Sequence, residues 1–241
     1  MSLSLGLLIG IASLFALVLI WFEKSKTDEK KLAVIATLGA VAAVARIPFG
    51  FLPNVQPTTF LVMLSGYVFG VRVGFLVGAI AAVLSNMYFG QGPWTLWQML
   101  SWGLAGAFGG GLGKVMERKG EDTVLRPLLA TTAKKWTFVL FCALWGYLFG
   151  WIMNLWYIVS QGKYANWGTF FGAYVSSFSF DTAHAVGNFV FASLFAVSFA
   201  RIFARYHRKL VTTRESVVQA AALSSVEKPR EIAGVKEERA L

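Results

Sequence analysis

The sequence predicts an all-α integral membrane protein, and three observations carry that prediction. Of its 241 residues, 56% are hydrophobic and only 14% are charged, with a mean hydropathy of +0.61; a soluble domain carries about a quarter charged residues. Apolar runs of roughly 17 to 25 residues, long enough to cross a bilayer, recur along most of the chain. The basic residues stand at the ends of those runs and in the tail, which is how membrane orientation is encoded. The net charge of +10 is therefore not read as a nucleic-acid footprint. The length fits one compact bundle.

The first run, MSLSLGLLIGIASLFALVLIWFEK, places a span at 4–22. It has no basic n-region and no small-x-small cleavage site, and Lys24, Lys26, Lys30 and Lys31 follow it. The expectation is a retained helix with its N-terminus outside rather than a signal peptide. Further spans are expected at 32–47, 57–71, 73–89, 94–115, 136–158 and 179–202, with 164–178 a loop or interfacial helix leading into the last. The stretch 57–89 is apolar except for Arg72. As one helix it would be about 50 Å long, too long for a hydrocarbon core of about 30 Å. A break near Arg72 also places Lys24 to Lys31, Arg72, Lys114 to Lys135 and Arg201 to Lys209 on one side. Only Arg46 and Lys163 then remain opposite. The positive-inside rule favours this arrangement, with the N-terminus outside and the C-terminus cytoplasmic. Residues 210–241 mix charges with Ser, Thr and Ala without an apolar period and are expected as a mobile cytoplasmic tail.

Cys142 lies inside an apolar run, cannot form an internal disulfide, and reads as packing. GGGLGKV, Gly109 to Val115, fails as a phosphate loop. That loop needs Gly six residues before its Lys and Ser or Thr after it, and these positions are Phe108 and Val115. Gly106 with Gly110, and Gly109 with Gly113, instead have the spacing that lets membrane helices approach closely. Ala33, Ala36, Ala40 and Ala43 form a second small-residue stripe on 32–47. It reads either as packing within the chain or as a docking face for another membrane subunit.

The chemistry concentrates at the expected outer ends. Asn54 and Gln56 lie between Pro53 and Pro57 in a stiffened loop. Asn86, Tyr88, Gln91 and Trp94 follow on the next outer connection, and Trp94, Trp97, Gln98 and Ser101 share a face of the helix after it. Tryptophan at this level also serves as a membrane-interface belt. Amides and rings at one mouth fit a small-molecule pocket, with apolar walls and a few placed polar groups. FDTAHAVGNF, Phe180 to Phe189, sets Asp181, His184 and Asn188 on one helical face. Asp181 is expected in the first turn of its helix, where a carboxylate suits the N-terminus. His184 and Asn188 lie deeper. A proton relay, a metal site, a ligand contact and interhelical glue all fit such a stripe.

Three stretches, RIPFGFLPNVQPTTFLVMLSGYVFG, SNMYFGQGPWTLWQMLSWGLAG and FDTAHAVGNF, resemble the substrate-binding S components of energy-coupling factor (ECF) transporters, and the likeness spans roughly residues 32–205. The resemblance implies a six-helix membrane bundle that binds a vitamin or metal at its outer end. It implies that an Ala-x-x-x-Ala motif, matched by Ala36 and Ala40, docks on a transmembrane coupling subunit. It also implies two cytoplasmic ATPases and transport by toppling of the S component. The helix at 4–22 departs from the six-helix pattern as an N-terminal addition. Within the family the chain is most similar to S components assigned to cobalamin. Queuosine-precursor, pantothenate and thiamine-precursor members share the scaffold. Metal-transporting relatives depend on a His-rich N-terminus, whereas this chain has only His184 and His207, so cobalt and nickel ions are not expected.

The expectation is thus a six-helix S-component-like bundle, 32–209, with an extra helix and basic linker at 1–31 and the tail at 210–241. Its partners are a vitamin-like small molecule, the coupling subunit, the two ATPases and the bilayer; no nucleic acid, cofactor or metal is expected. The alternative is a proton-coupled secondary transporter using Asp181 and His184. No inverted repeat supports it. An enzyme is not expected, since the chain offers no HExxH, no intramembrane carboxylate pair and no nucleophile–base pair.

Overall fold

A computed structural model describes residues 29–116 and 131–209, the backbone of 210–238, and scattered positions between 5 and 20. Most of the expected span 4–22, most of the basic linker after it and much of the connection holding Lys114 to Lys135 lie outside the described residues. The described residues form six α-helices and no strand. They are α1 (Glu29–Val44), α2 (Thr58–Phe69), α3 (Val71–Phe89), α4 (Trp94–Met116), α5 (Thr132–Ser160) and α6 (Trp167–Glu238), with short 3-10 turns at Ile47–Phe49 and Gly162–Tyr164.

Among the described residues, four segments are long and apolar enough to cross a membrane: Glu29–Phe49, Val71–Phe89, Thr132–Ser160 and Trp167–Lys209. The fold is therefore an all-α membrane bundle. α4 has the length, at 23 residues, but its glycines and tryptophans lower its hydropathy. α2 has only 12 residues, about 18 Å of helix, and is too short to cross alone. It is the central helix, buried at every position from Thr58 to Val68, against α3, α4, α5 and α6.

The expected break in 57–89 is present. It falls at Gly70, whose φ of +94° is a conformation that glycine adopts without steric cost. Glycines also set how closely α2, α3 and α4 approach. A Cβ on Gly66 or Gly74 would strike the Gly106 carbonyl, and one on Gly110 would strike the backbone of Val71. The glycine run of α4 is thus used for close packing, as small-residue spacing in membrane helices predicts. Gly146 and Gly150 do the same on α5, where a Cβ would meet Ala185 and Asp181 of α6.

The last helix differs from the expectation of a span at 179–202. It begins at Trp167, where the Asn166 side chain accepts from the Thr169 N–H at 3.0 Å and satisfies a donor of the first turn. From Trp167 to Lys209 it has 43 residues, about 65 Å, so it projects beyond any bilayer core. Its helical backbone continues to Glu238.

Alternation of the helices gathers the ends of α1, α3 and α5 with the starts of α2, α4 and α6. The connections 45–57, 90–93 and 161–166 lie at this end, with Arg46 and Lys163. Lys30, Lys31, Arg72, Lys114, Lys134, Lys135 and the run from Arg201 to Lys209 lie toward the other end.

Candidate functional site

At the end where α1 stops, Arg46 organises a polar network. Its Nε donates to Gln56 Oε1 at 2.7 Å, and its Nη1 donates to Ser85 Oγ at 2.9 Å and Asn86 Oδ1 at 3.0 Å. The guanidinium carbon lies 4.4 Å from the centre of the Phe89 ring and 5.2 Å from that of Trp102, both within cation–π range. Asn86 passes the network on, donating through Nδ2 to Thr95 Oγ1 at 3.0 Å and to Gln98 Oε1 at 2.6 Å. Thr95 donates to Gln91 Oε1 at 2.9 Å. One guanidinium therefore ties together the end of α1, the loop before α2, the end of α3 and the start of α4.

A second cluster lies beside it. Trp102 Nε1 donates to Thr59 Oγ1 at 3.0 Å, and the same hydroxyl lies 2.8 Å from His184 Nε2. The Phe149 ring packs against both the His184 imidazole and Trp102. Asp181, His184 and Asn188 are 3%, 0% and 0% exposed, so the stripe faces the bundle interior. His184 Nδ1, both amide atoms of Asn188 and the Ser101 hydroxyl are enclosed and have no hydrogen-bond partner. Buried polar groups are nearly always paired. These three residues hold unspent hydrogen-bonding capacity inside the helix bundle.

Asp181 corrects an expectation. It is not in the first turn of its helix but well inside α6, and Asn166 occupies the capping position instead. Its carboxylate accepts from Ser177 Oγ at 2.9 Å, and Ser177 in turn accepts from Asn154 Nδ2 at 2.8 Å. Gly150 leaves room for it. Asp181 and His184 share no hydrogen bond; one turns to Ser177, the other to Thr59.

The remaining expected residues divide. Gln56, Asn86 and Gln98 join the Arg46 network. Trp97 is buried, whereas Trp94 is 38% exposed and lies over Gly92. Asn54 has φ of +61°, which Asn tolerates in turns, and donates to the Phe180 carbonyl at 3.1 Å, so it fastens the loop to α6. Gln91 bonds Thr95 and the Val83 carbonyl and clips the α3–α4 connection. Arg46, Thr59, Ser85, Thr95 and Trp102 were not among the expected site residues, and the structure places them at its centre. The signal available for Arg46 was its solitude: one cation beside a proline-rich, amide-bearing loop.

The alanine stripe of α1 runs from the open face into the bundle. Ala33 and Ala36 are exposed, Ala40 is half-buried and Ala43 is buried. The close contact of α1 with α3 is made by Gly39 against Ile80. Ala36 is not used in it.

Residues 30–156 match the family described as ECF transporter, substrate-specific component. No curated protein and no solved structure matches the chain. The matched region holds α1 to α4 and most of α5, and with them the whole Arg46 network. The chain is a member of the family of substrate-specific components of ECF transporters.

Proposed function

We propose that this component captures a vitamin or related micronutrient at the end bearing Arg46, with cobalamin the first compound to test. In this reading that end faces outside and the C-terminus is cytoplasmic. A transmembrane coupling subunit and two cytoplasmic ATPases drive delivery inward. The binding unit is 32–209; residues 1–31 add a helix and linker, and 210–241 form a cytoplasmic tail. The observation that carries the reading is the concentration of side-chain hydrogen-bonding capacity at one end of an otherwise apolar bundle, in the Arg46 network and in the unspent groups of His184, Asn188 and Ser101. Apolar walls with a few placed polar groups suit a small ligand. The orientation follows from the basic residues crowding the opposite end. The exposed part of the alanine stripe, Ala33 and Ala36, supports a docking face there, with Ala40 at its edge.

Reconstitution of the chain with a coupling subunit and ATPases into vesicles tests the function. Uptake of labelled cobalamin that requires ATP is the expected outcome. Uptake driven by a proton gradient without ATP would replace this reading with a secondary transporter. The ultraviolet-visible spectrum of the protein purified without added ligand tests the substrate, because a bound corrinoid is coloured.

A further inference from the structure

The Arg46 network is polarised, and its polarity identifies the kind of group it takes. A guanidinium only donates hydrogen bonds, so the atoms facing Arg46 must be the oxygens of Gln56 and Asn86. That fixes the Asn86 amide nitrogen toward Gln98, which must answer with its own oxygen. Each side-chain amide oxygen of Gln56, Asn86 and Gln98 thereby already accepts a hydrogen bond within the network. What remains unpaired are donors. Neither N–H of Arg46 Nη2, nor Nε2 of Gln56 or Gln98, has an acceptor among the described residues, and none of these nitrogens is enclosed.

The charge is also uncompensated. Arg46 makes no ion pair among the described residues, although arginine stays protonated at neutral pH. Its Nε and Nη1 are held by the network, and the guanidinium carbon lies within cation–π range of the Phe89 and Trp102 rings, so the guanidinium is oriented before any partner arrives. A fixed cation flanked by unpaired donors suits an oxyanion. Carboxylates and phosphates are the groups with which an arginine N–H makes its strong, charge-assisted hydrogen bonds.

We propose that Arg46 is an anion anchor: the transported molecule carries a carboxylate or phosphate group that binds Arg46 Nη2, aided by the free amide nitrogens of Gln56 and Gln98. This rests on the reading of the chain as a substrate-capturing subunit. It narrows the substrate to anionic compounds or those with a phosphodiester.

The test uses the purified full-length chain in detergent and simple probes. The guanidinium ¹⁵N resonance of Arg46, assigned by its loss in Arg46→Gln, is followed during titration with acetate, inorganic phosphate, acetamide and chloride at constant ionic strength. A saturable shift with acetate or phosphate and none with acetamide or chloride is expected, and the stronger of the two names the group. Gln56→Glu keeps the oxygen that Arg46 Nε requires and adds a second one for Nη2, closing the anchor from within. It should weaken the response by at least about tenfold while the protein stays folded. Equal shifts with acid and amide, no saturable shift, or an unaltered response in Gln56→Glu would overturn the anchor. A failed titration leaves ATP-driven uptake as a separate question, and failed uptake does not alter the titration.

Discussion

The Thr59 hydroxyl lies 2.8 Å from His184 Nε2 while accepting a hydrogen bond from Trp102 Nε1 at 3.0 Å. Thr59 has one proton to give. It is spent on a side chain if Thr59 donates to His184, which then carries its own proton on Nδ1, the enclosed nitrogen without a partner. In that tautomer an oriented donor is aimed into the bundle from α6, held there by a residue of α2.

Thr59→Val keeps the shape and removes both bonds. Trp102 and His184 would each be left with an unpaired buried nitrogen, at about 1–3 kcal/mol apiece. The expected outcome is a lower unfolding temperature together with a change in the His184 tautomer, read from ring ¹⁵N shifts. Thr59→Ser should restore both. An unaltered tautomer in Thr59→Val would show that Thr59 does not orient the ring.

Asn188 separates a ligand contact from a packing residue. Its amide is fully buried and bonds nothing, and an unpaired buried amide is costly. Asn188→Leu should therefore stabilise the ligand-free protein by about 1–3 kcal/mol. If the amide contacts ligand, the same variant, Asn188→Ala and His184→Ala should each weaken binding by about 5- to 150-fold. Titration of cobalamin onto the purified variants checks this. Raised stability with unchanged affinity would assign Asn188 to packing.

Parts of this arrangement were legible in the sequence, and each success has a physical reason. Hydropathy and charge placement are bulk properties, so the membrane bundle and the break before Arg72 could be read without coordinates. Asp181, His184 and Asn188 were conspicuous because buried polar groups are rare in apolar helices, and the structure buries all three. Arg46 was missed as a site residue because a lone arginine beside a membrane segment has the same pattern as an orientation signal or a snorkelling side chain. Thr59 and Ser85 were missed because hydroxyls in membrane helices usually bond their own backbone, as Ser65 does to Leu61. The early start of α6 was obscured by Gly168 and Gly172, poor helix formers, although Asn166 was there as a cap.

The alanine stripe yields a test of partner docking. Ala36 faces outward while Gly39 makes the contact with α3. Ala36→Leu and Ala40→Leu should leave ligand affinity unchanged but abolish complex formation with the coupling subunit. If the stripe packs internally instead, overpacking costing about 1–3 kcal/mol would appear as lost stability. Pull-down and thermal unfolding, measured side by side, distinguish the two.

Orientation decides which face of the membrane the Arg46 end meets. The connection 161–166 and Ser160 lie at that end, and the basic residues gather at the other. Positive residues are retained on the cytoplasmic side, so the Arg46 end should face outside. The thiol of Cys142 is fully buried, and Cys142→Ala supplies a clean background for new cysteines. Cysteine at Ser2 or Ser160 should react with a membrane-impermeant thiol reagent in intact cells, and cysteine at Ser225 should react only after the cells are opened. Ser160 tests the side of the bundle that carries the network, and Ser2 tests independently whether 4–22 crosses the membrane. Labelling at Ser160 but not Ser2 would keep the binding end outside and remove the extra crossing. Labelling of Ser225 alone in intact cells would invert the bundle, and the Arg46 network would then face the cytoplasm, where it would meet transported molecules only on their exit.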